Sequence, residues 1–149
     1  MSKIQQYSLT VLRVVLGWMF FYAGITKVLN PEWSAEGYLK GAKLFTGFYA
    51  WLASPAMLPF TNFMNEWGLT LLGVALITGV GVKCASKLGI ALMVLYYLPI
   101  LDGFYPNAHA FIVDEHIIYI AGLWVLMAFK AGSIYTLASK LPRLPKWLS

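Results

Sequence analysis

Apolar residues gather into four long runs along the chain: Ser8–Leu29, Phe60–Val82, Lys87–Tyr105 and Phe111–Phe129. Each approaches the ~20 residues that cross a ~30 Å hydrocarbon layer at a rise of ~1.5 Å per residue. No stretch shows the alternation of a barrel strand, so the runs predict helices, which satisfy their own backbone inside a bilayer. The expected fold is all-α: a single domain over residues 1–149 forming an integral membrane four-helix bundle.

Between the first two runs lies Asn30–Pro59, too long and too aromatic for a plain connector. It carries Trp33, Tyr38, Phe45, Phe48, Tyr49 and Trp51, interrupted by Gly37, Gly41 and Gly47. Asn30-Pro31 stops the first helix and Ser34 is placed to cap a new one. The pattern predicts an additional interfacial or re-entrant helix over one end of the bundle. Two readings of it stand: an aromatic belt at headgroup level, or a lid over a site.

Composition agrees with burial in lipid. The chain is 60% hydrophobic and 11% charged, with a mean hydropathy of +0.69, whereas soluble domains run near ~25% charged. Charge placement then predicts orientation. The N-terminus, the Val82–Lys87 loop and the tail together hold Lys3, Arg13, Lys83, Lys87, Lys130, Lys140, Arg143 and Lys146, with no acid. The other side holds Lys27, Lys40 and Lys43 against Glu32, Glu36, Glu66, Asp102, Asp114 and Glu115. That is +8 against −3, so both termini are expected in the cytoplasm of a multi-pass cell-membrane protein.

The net +5 therefore reflects basic loops facing membrane lipid, and no nucleic-acid partner is expected. The first run lacks a small-x-small cleavage site and carries Arg13 and Lys27, which predicts a retained helix. The basic amphipathic tail, 130–149, is expected on anionic lipid, with partner docking as the other reading. Cys84 is the single cysteine. One thiol excludes an intrachain disulfide, and the chain shows no haem attachment, Fe–S or flavin site, no P-loop and no nucleophile elbow.

Few residues are left to carry chemistry. Arg13, Gly17, Gly24 and Lys27 share one stripe of the first helix, with Phe20 among them. Glycines at that spacing let a neighbouring backbone approach. Arg13 is expected to snorkel toward the inner headgroups rather than to sit in the interior.

The uncharged parts of the last two helices, Leu88–Leu101 and Ile117–Phe129, are short for a bilayer. Spanning it then draws their charged tips to the edge of the hydrocarbon. This predicts an ionisable ring at the outer mouth: Lys27, Glu66, Asp102 and the Asp114-Glu115-His116 tip, with Lys27 as counter-ion to Glu66 or Asp102. Glu66, Thr70, Gly73 and Ile77 share a face of the second helix. His116 and Tyr119 are three apart and able to reach one ligand, whereas Asp114 points away, as an N-cap or as part of the ring. His109 sits in a loop; its spacing to His116 matches no metal motif, and no metal is expected. Tyr96-Tyr97 reads as packing and belt material.

Three segments together resemble DoxX-family membrane proteins. They are Leu12-Arg13-Val14-Val15-Leu16-Gly17 continuing through Phe20, Ala23-Gly24-Ile25 and Lys27-Val28; the second helix with early Glu66 and Gly73–Gly79; and Val113-Asp114-Glu115-His116-Ile117-Ile118-Tyr119. The resemblance covers about residues 8–130. It implies a four-helix membrane protein related to the DoxD-type subunit of thiosulfate:quinone oxidoreductase, which oxidises thiosulfate to tetrathionate and passes electrons to quinone.

The leading expectation is thus a membrane subunit of a quinone-linked oxidoreductase, with sulfur compounds among its candidate substrates. In it His116 and Asp102 handle protons near Glu66, and Tyr119 bonds a quinone carbonyl. Lys27 and Arg13 offer positive charge to an anion or a partly reduced quinone, beside the clefts opened by Gly17, Gly24 and Gly73. Other subunits of a redox complex, or further copies of this chain, are expected partners. The alternatives are a non-catalytic anchor of such a complex and a small-solute or proton channel.

Overall fold

A computed structural model of the chain describes residues 1–137. Those residues are all-helical, without a strand. Helix α1 spans Lys3–Val28. Two short helices follow, α2 at Glu36–Lys40 and α3 at Thr46–Leu52. Then come α4 at Leu58–Thr78, α5 at Val82–Ile100 and α6 at Glu115–Ala128. A short 3-10 turn covers Ala131–Ser133. Of the predicted tail, residues 138–149 lie outside the described part.

Local signals explain the boundaries, and several differ from expectation. Helix α1 starts five residues early because Ser2 and Gln5 form a reciprocal capping box. Lys83 and Lys87 belong to α5, not to a loop. The turn is made instead by Gly79 and Gly81, whose left-handed backbones, at φ 77° and 66°, suit residues without a Cβ. At its far end α5 stops at Ile100, one residue past Pro99, so residues to Tyr105 are loop. The expected start of the last helix at Phe111 moves to Glu115, where Asp114 caps it. The single extra helix becomes two, α2 and α3, parted around Phe45, whose backbone is left-handed.

The four long helices pack as antiparallel neighbours. Helix α1 lies along α4, α4 against α5, α5 along α6, and α6 closes on α1. Phe20, Leu76, Leu123 and Leu126 fill the centre and are almost wholly buried. Between α1 and α4 the backbones nearly touch. A Cβ on Gly24 would land on the Thr70 backbone, and one on Gly73 on the Phe21 backbone. Gly17 faces Ile77 and the Gly73 carbonyl in the same seam, where a Cβ would lie 2.9–3.0 Å from both. These faces are occupied by the opposite helix, so none of the three glycines opens a cleft.

Helices α1 and α5 are long and apolar enough to cross a membrane. Helix α4 has the length, with 21 residues, but carries Thr61, Asn62, Asn65 and Glu66 in its first half. Helix α6 is apolar but has only 14 residues.

Candidate functional site

The side chains with the most organised chemistry gather where α6 begins. Asp114, in extended backbone, turns its carboxylate back onto the helix it caps. Oδ1 accepts from the His116 amide at 3.0 Å and the Ile117 amide at 3.4 Å. Oδ2 lies 2.8 Å from His116 Nδ1. The expectation that Asp114 points away from His116 is corrected for a simple reason. It presumed helical phase for Asp114, and an N-cap residue stands outside that phase.

The pair is enclosed, with 2% of the Asp114 side chain and 17% of the His116 side chain exposed. A carboxylate only accepts, so Nδ1 carries the hydrogen and Nε2 keeps the lone pair, an assignment made from the bonding partner. Among the described residues Nε2 has no partner. The hydroxyl of Tyr119, one turn along α6, is likewise unbonded, and its ring meets Phe20 of α1 edge-on at 5.8 Å.

Helix α5 supplies the facing wall. The rings of Tyr96 and Tyr97 lie 6.4 and 6.5 Å from His116. Tyr97 donates to the Ile112 carbonyl, and Tyr96 donates to Asn65 Oδ1 at 2.7 Å. Asn65 in turn donates to the Thr61 carbonyl at 2.8 Å. Sequence reasoning passed over Asn65, and it read Tyr96 as packing. An available signal was the polar first half of α4, where Asn65 stands next to Glu66.

The predicted ionisable ring does not close. Lys27 donates to the Ala23 carbonyl at 2.5 Å and lies 5.4 Å over the Trp33 ring. Glu66 is half-buried and, like Lys27, has no ion-pair partner among the described residues. Asp102 stands apart: the backbone turns extended at Leu101, so Asp102 leaves the phase of α5 and pairs with Lys43 at 2.8 Å on the open surface. Exposed pairs of this kind contribute about 0–1 kcal/mol. Glu115 and His109 are exposed.

The α2–α3 segment covers the end of α5 beside this site. Pro99 has no N–H, so the Leu95 carbonyl lacks its helical donor; Tyr49 supplies one at 2.9 Å. Tyr38 donates to the Tyr96 carbonyl, and the Lys43 amide donates to the Pro99 carbonyl at 2.9 Å. The Asn62 side chain accepts from the Ala35 amide at 3.0 Å. Burial raises both tyrosines: Tyr49 above its usual range, and Tyr38, with smaller contributions from Tyr49 and Asp114, up to about 12.

Arg13 lies at the opposite end and is 1% exposed. The snorkelling expectation is overturned, because the chain after α6 folds back over the guanidinium. Nη1 donates to the carbonyls of Ala131 at 2.7 Å and Ile134 at 3.0 Å, and Nη2 to Tyr135 at 2.9 Å. Cys84 is an exposed thiol on the first turn of α5. Among the described residues no cluster of three or more His, Cys, Asp or Glu could hold a metal ion.

The family model that matches this sequence is DoxX, over residues 8–100. No curated protein and no solved structure matches it.

Proposed function

Because the chain belongs to the DoxX family, which is membrane-associated, we propose that its four long helices cross the bilayer as one bundle, as the membrane subunit of a quinone-linked oxidoreductase. The outward surface supports the first part. Val11 and Trp18 on α1, Leu71 on α4, Leu88 on α5, and Ile118 and Trp124 on α6 are all exposed. Large apolar side chains on the outside of every long helix suit lipid better than water. The charge asymmetry supports cytoplasmic termini, with the His116 site on the outer side.

The observation that carries the second part is the Asp114–His116 pair, enclosed and set against the Tyr96 and Tyr97 rings of α5. Quinone reduction consumes two electrons and two protons at a pair of carbonyl oxygens, and this is the chemistry a bound quinone supplies. The residues present fit such a ring: two unbonded polar atoms, His116 Nε2 and Tyr119 Oη, lie on one helical face with aromatic walls from Phe20 and Tyr96. Asp114 holds the imidazole in orientation through Nδ1, which leaves Nε2 as the atom that would exchange a proton with a bound ligand. Tyr119 would donate a hydrogen bond to a second oxygen of a bound quinone. Lys27 and Glu66 supply charge at the mouth. Electrons come from a substrate or partner at the outer end, and sulfur compounds are the candidates that the family resemblance suggests.

Quinone reduction by the purified protein, with whatever subunits accompany it, tests the reading. His116→Ala should lower the rate by roughly 10²–10⁴-fold while the protein remains inserted, and Tyr119→Phe should raise KM more than it lowers kcat. Undiminished rates in both variants would sink it. A second reading, a non-catalytic anchor, draws on the exposed Phe45, Phe48 and Trp51 of the α2–α3 segment, which suit a docked subunit. An obligate partner that retains full activity with His116→Ala would favour it.

A further inference from the structure

Helices α5 and α6 pack along one another and form the short side of the bundle. Helix α6 has 14 residues, which at ~1.5 Å per residue is ~21 Å. Non-helical chain adjoins it at both ends. Residues 101–114 precede it, and Phe129 and Lys130 follow it, Lys130 with a left-handed backbone. Helix α5 is longer, but Lys83 and Lys87 stand exposed on its first two turns. Beyond Lys87 it offers only ~20 Å. On the other side of the bundle α1 and α4 have 26 and 21 residues, or ~39 and ~32 Å.

A hydrocarbon core of ~30 Å exceeds α6 by ~9 Å. Tilting shortens what a helix spans, so it widens the gap. Sinking the helix ends into lipid is costly for two separate reasons. Lipid-facing backbone outside a helix leaves N–H and C=O groups unpaired, and residues 101–114 are such backbone. The Glu115 carboxylate is exposed on the first turn of α6 and has no ion-pair partner among the described residues, so a full-height core would submerge a bare charge. Residues 101–114 carry what suits a headgroup layer instead. Phe104 and Tyr105 both lie against Phe111, all three exposed, beside exposed Asp102 and His109. After Glu115, every exposed side chain of α6 is apolar, Ile118, Ala121, Trp124 and Val125 among them.

We propose that the α5–α6 side of the bundle is an interaction surface for a thin bilayer. Lipid beside it is pinched to a hydrocarbon height of about 21 Å, and short-chain phospholipid is preferred there over long-chain. Lipid beside α1 and α4 keeps its ordinary height, so the bilayer tapers around the protein. The pinch holds Glu115 and the 101–114 loop in the headgroup layer. This inference rests on the reading of the long helices as membrane-spanning and is independent of quinone chemistry.

The test is a nitroxide depth measurement on the full chain in dioleoylphosphatidylcholine vesicles, read from collisions with oxygen and with a water-soluble nickel chelate. A label on the native Cys84, exposed on the first turn of α5, gives the aqueous standard. In Cys84→Ser protein, labels at Ala121→Cys and Ile118→Cys, both exposed positions, should lie ~9 Å and ~5 Å inside the nearer polar boundary. An Ile118 label at ~9 Å or deeper, the value for α6 centred in a full ~30 Å core, overturns the pinch. Lipid choice is read separately, in mixed vesicles of dimyristoleoyl and dierucoyl phosphatidylcholine. The tryptophan quenching lost in Trp124→Phe should be at least about two-fold greater when the short-chain lipid carries the bromine. Equal quenching by the two lipids also overturns the surface. An Ala121 label as open to the chelate as Cys84 removes the membrane reading itself, whereas an oxygen-rich Ala121 with a deep Ile118 removes only the pinch.

Discussion

The hydroxyl of Tyr49 completes the hydrogen bonding of Leu95, 46 residues away, at the carbonyl that Pro99 leaves without a helical donor. An interruption in one helix is thereby made the attachment point of another. Tyr49→Phe should cost about 1–3 kcal/mol, because it orphans a half-buried carbonyl. It should also open the α2–α3 segment to trypsin at Lys40 and Lys43. Pro99→Ala restores an N–H that can serve Leu95, so the double variant should recover much of the lost stability. Additive losses in thermal unfolding would disprove the link.

Alkaline pH should loosen the same segment. Tyr38 and Tyr49 both act as protonated donors, and both have raised values, Tyr38 up to about 12. In the unfolded segment they ionise near ~10. The folded form therefore keeps its full advantage below pH ~10 and loses it as pH climbs from there through about 12. Trp51 fluorescence should report the release. The Tyr38→Phe, Tyr49→Phe double variant should show a much smaller alkaline change over that window, and an identical change would refute the assignment.

Asp114 has two duties that substitution separates. Asp114→Ala removes the cap and should destabilise by about 1 kcal/mol. Asp114→Asn keeps a capping oxygen and should fall within about 0.5 kcal/mol of the wild type, yet it replaces the carboxylate oxygen that accepts from His116 Nδ1 and fixes the ring's tautomer. Both should slow quinone reduction. Wild-type turnover in Asp114→Asn would confine the carboxylate to capping.

Arg13→Ala leaves three carbonyls without their donor. At ~1 kcal/mol or more for each buried acceptor, the loss should exceed about 3 kcal/mol. Arg13→Lys should recover little of it, because an ammonium cannot reproduce the planar fork. Proteolysis after Lys130 should accelerate in both. Unchanged cleavage would mean that other contacts hold the segment.

Much of this was legible in the residue pattern, for identifiable reasons. The apolar runs gave the long helices, because burial and periodicity leave their mark on side chains. The glycine stripe foretold the α1–α4 seam, since only a missing Cβ permits that approach. Arg13 was misplaced because its partners are backbone carbonyls, and those carry no signature in a sequence. Asp102 was misplaced because a helical wheel drawn past Ile100 assigns a face to a residue that has left the helix. Tyr49 had a readable cue in Pro99, which always frees the carbonyl four residues back, but the tyrosine that answers it is specified only by tertiary structure.

The Arg13 bonds also impose an order on biogenesis. Helix α1 leaves the ribosome before α6, and its arginine waits for acceptors 118 to 122 residues downstream. Until Tyr135 has been made, the nascent protein holds an unmet cation in α1. A chain that ends before Tyr135 is thus chemically marked as unfinished within α1 itself.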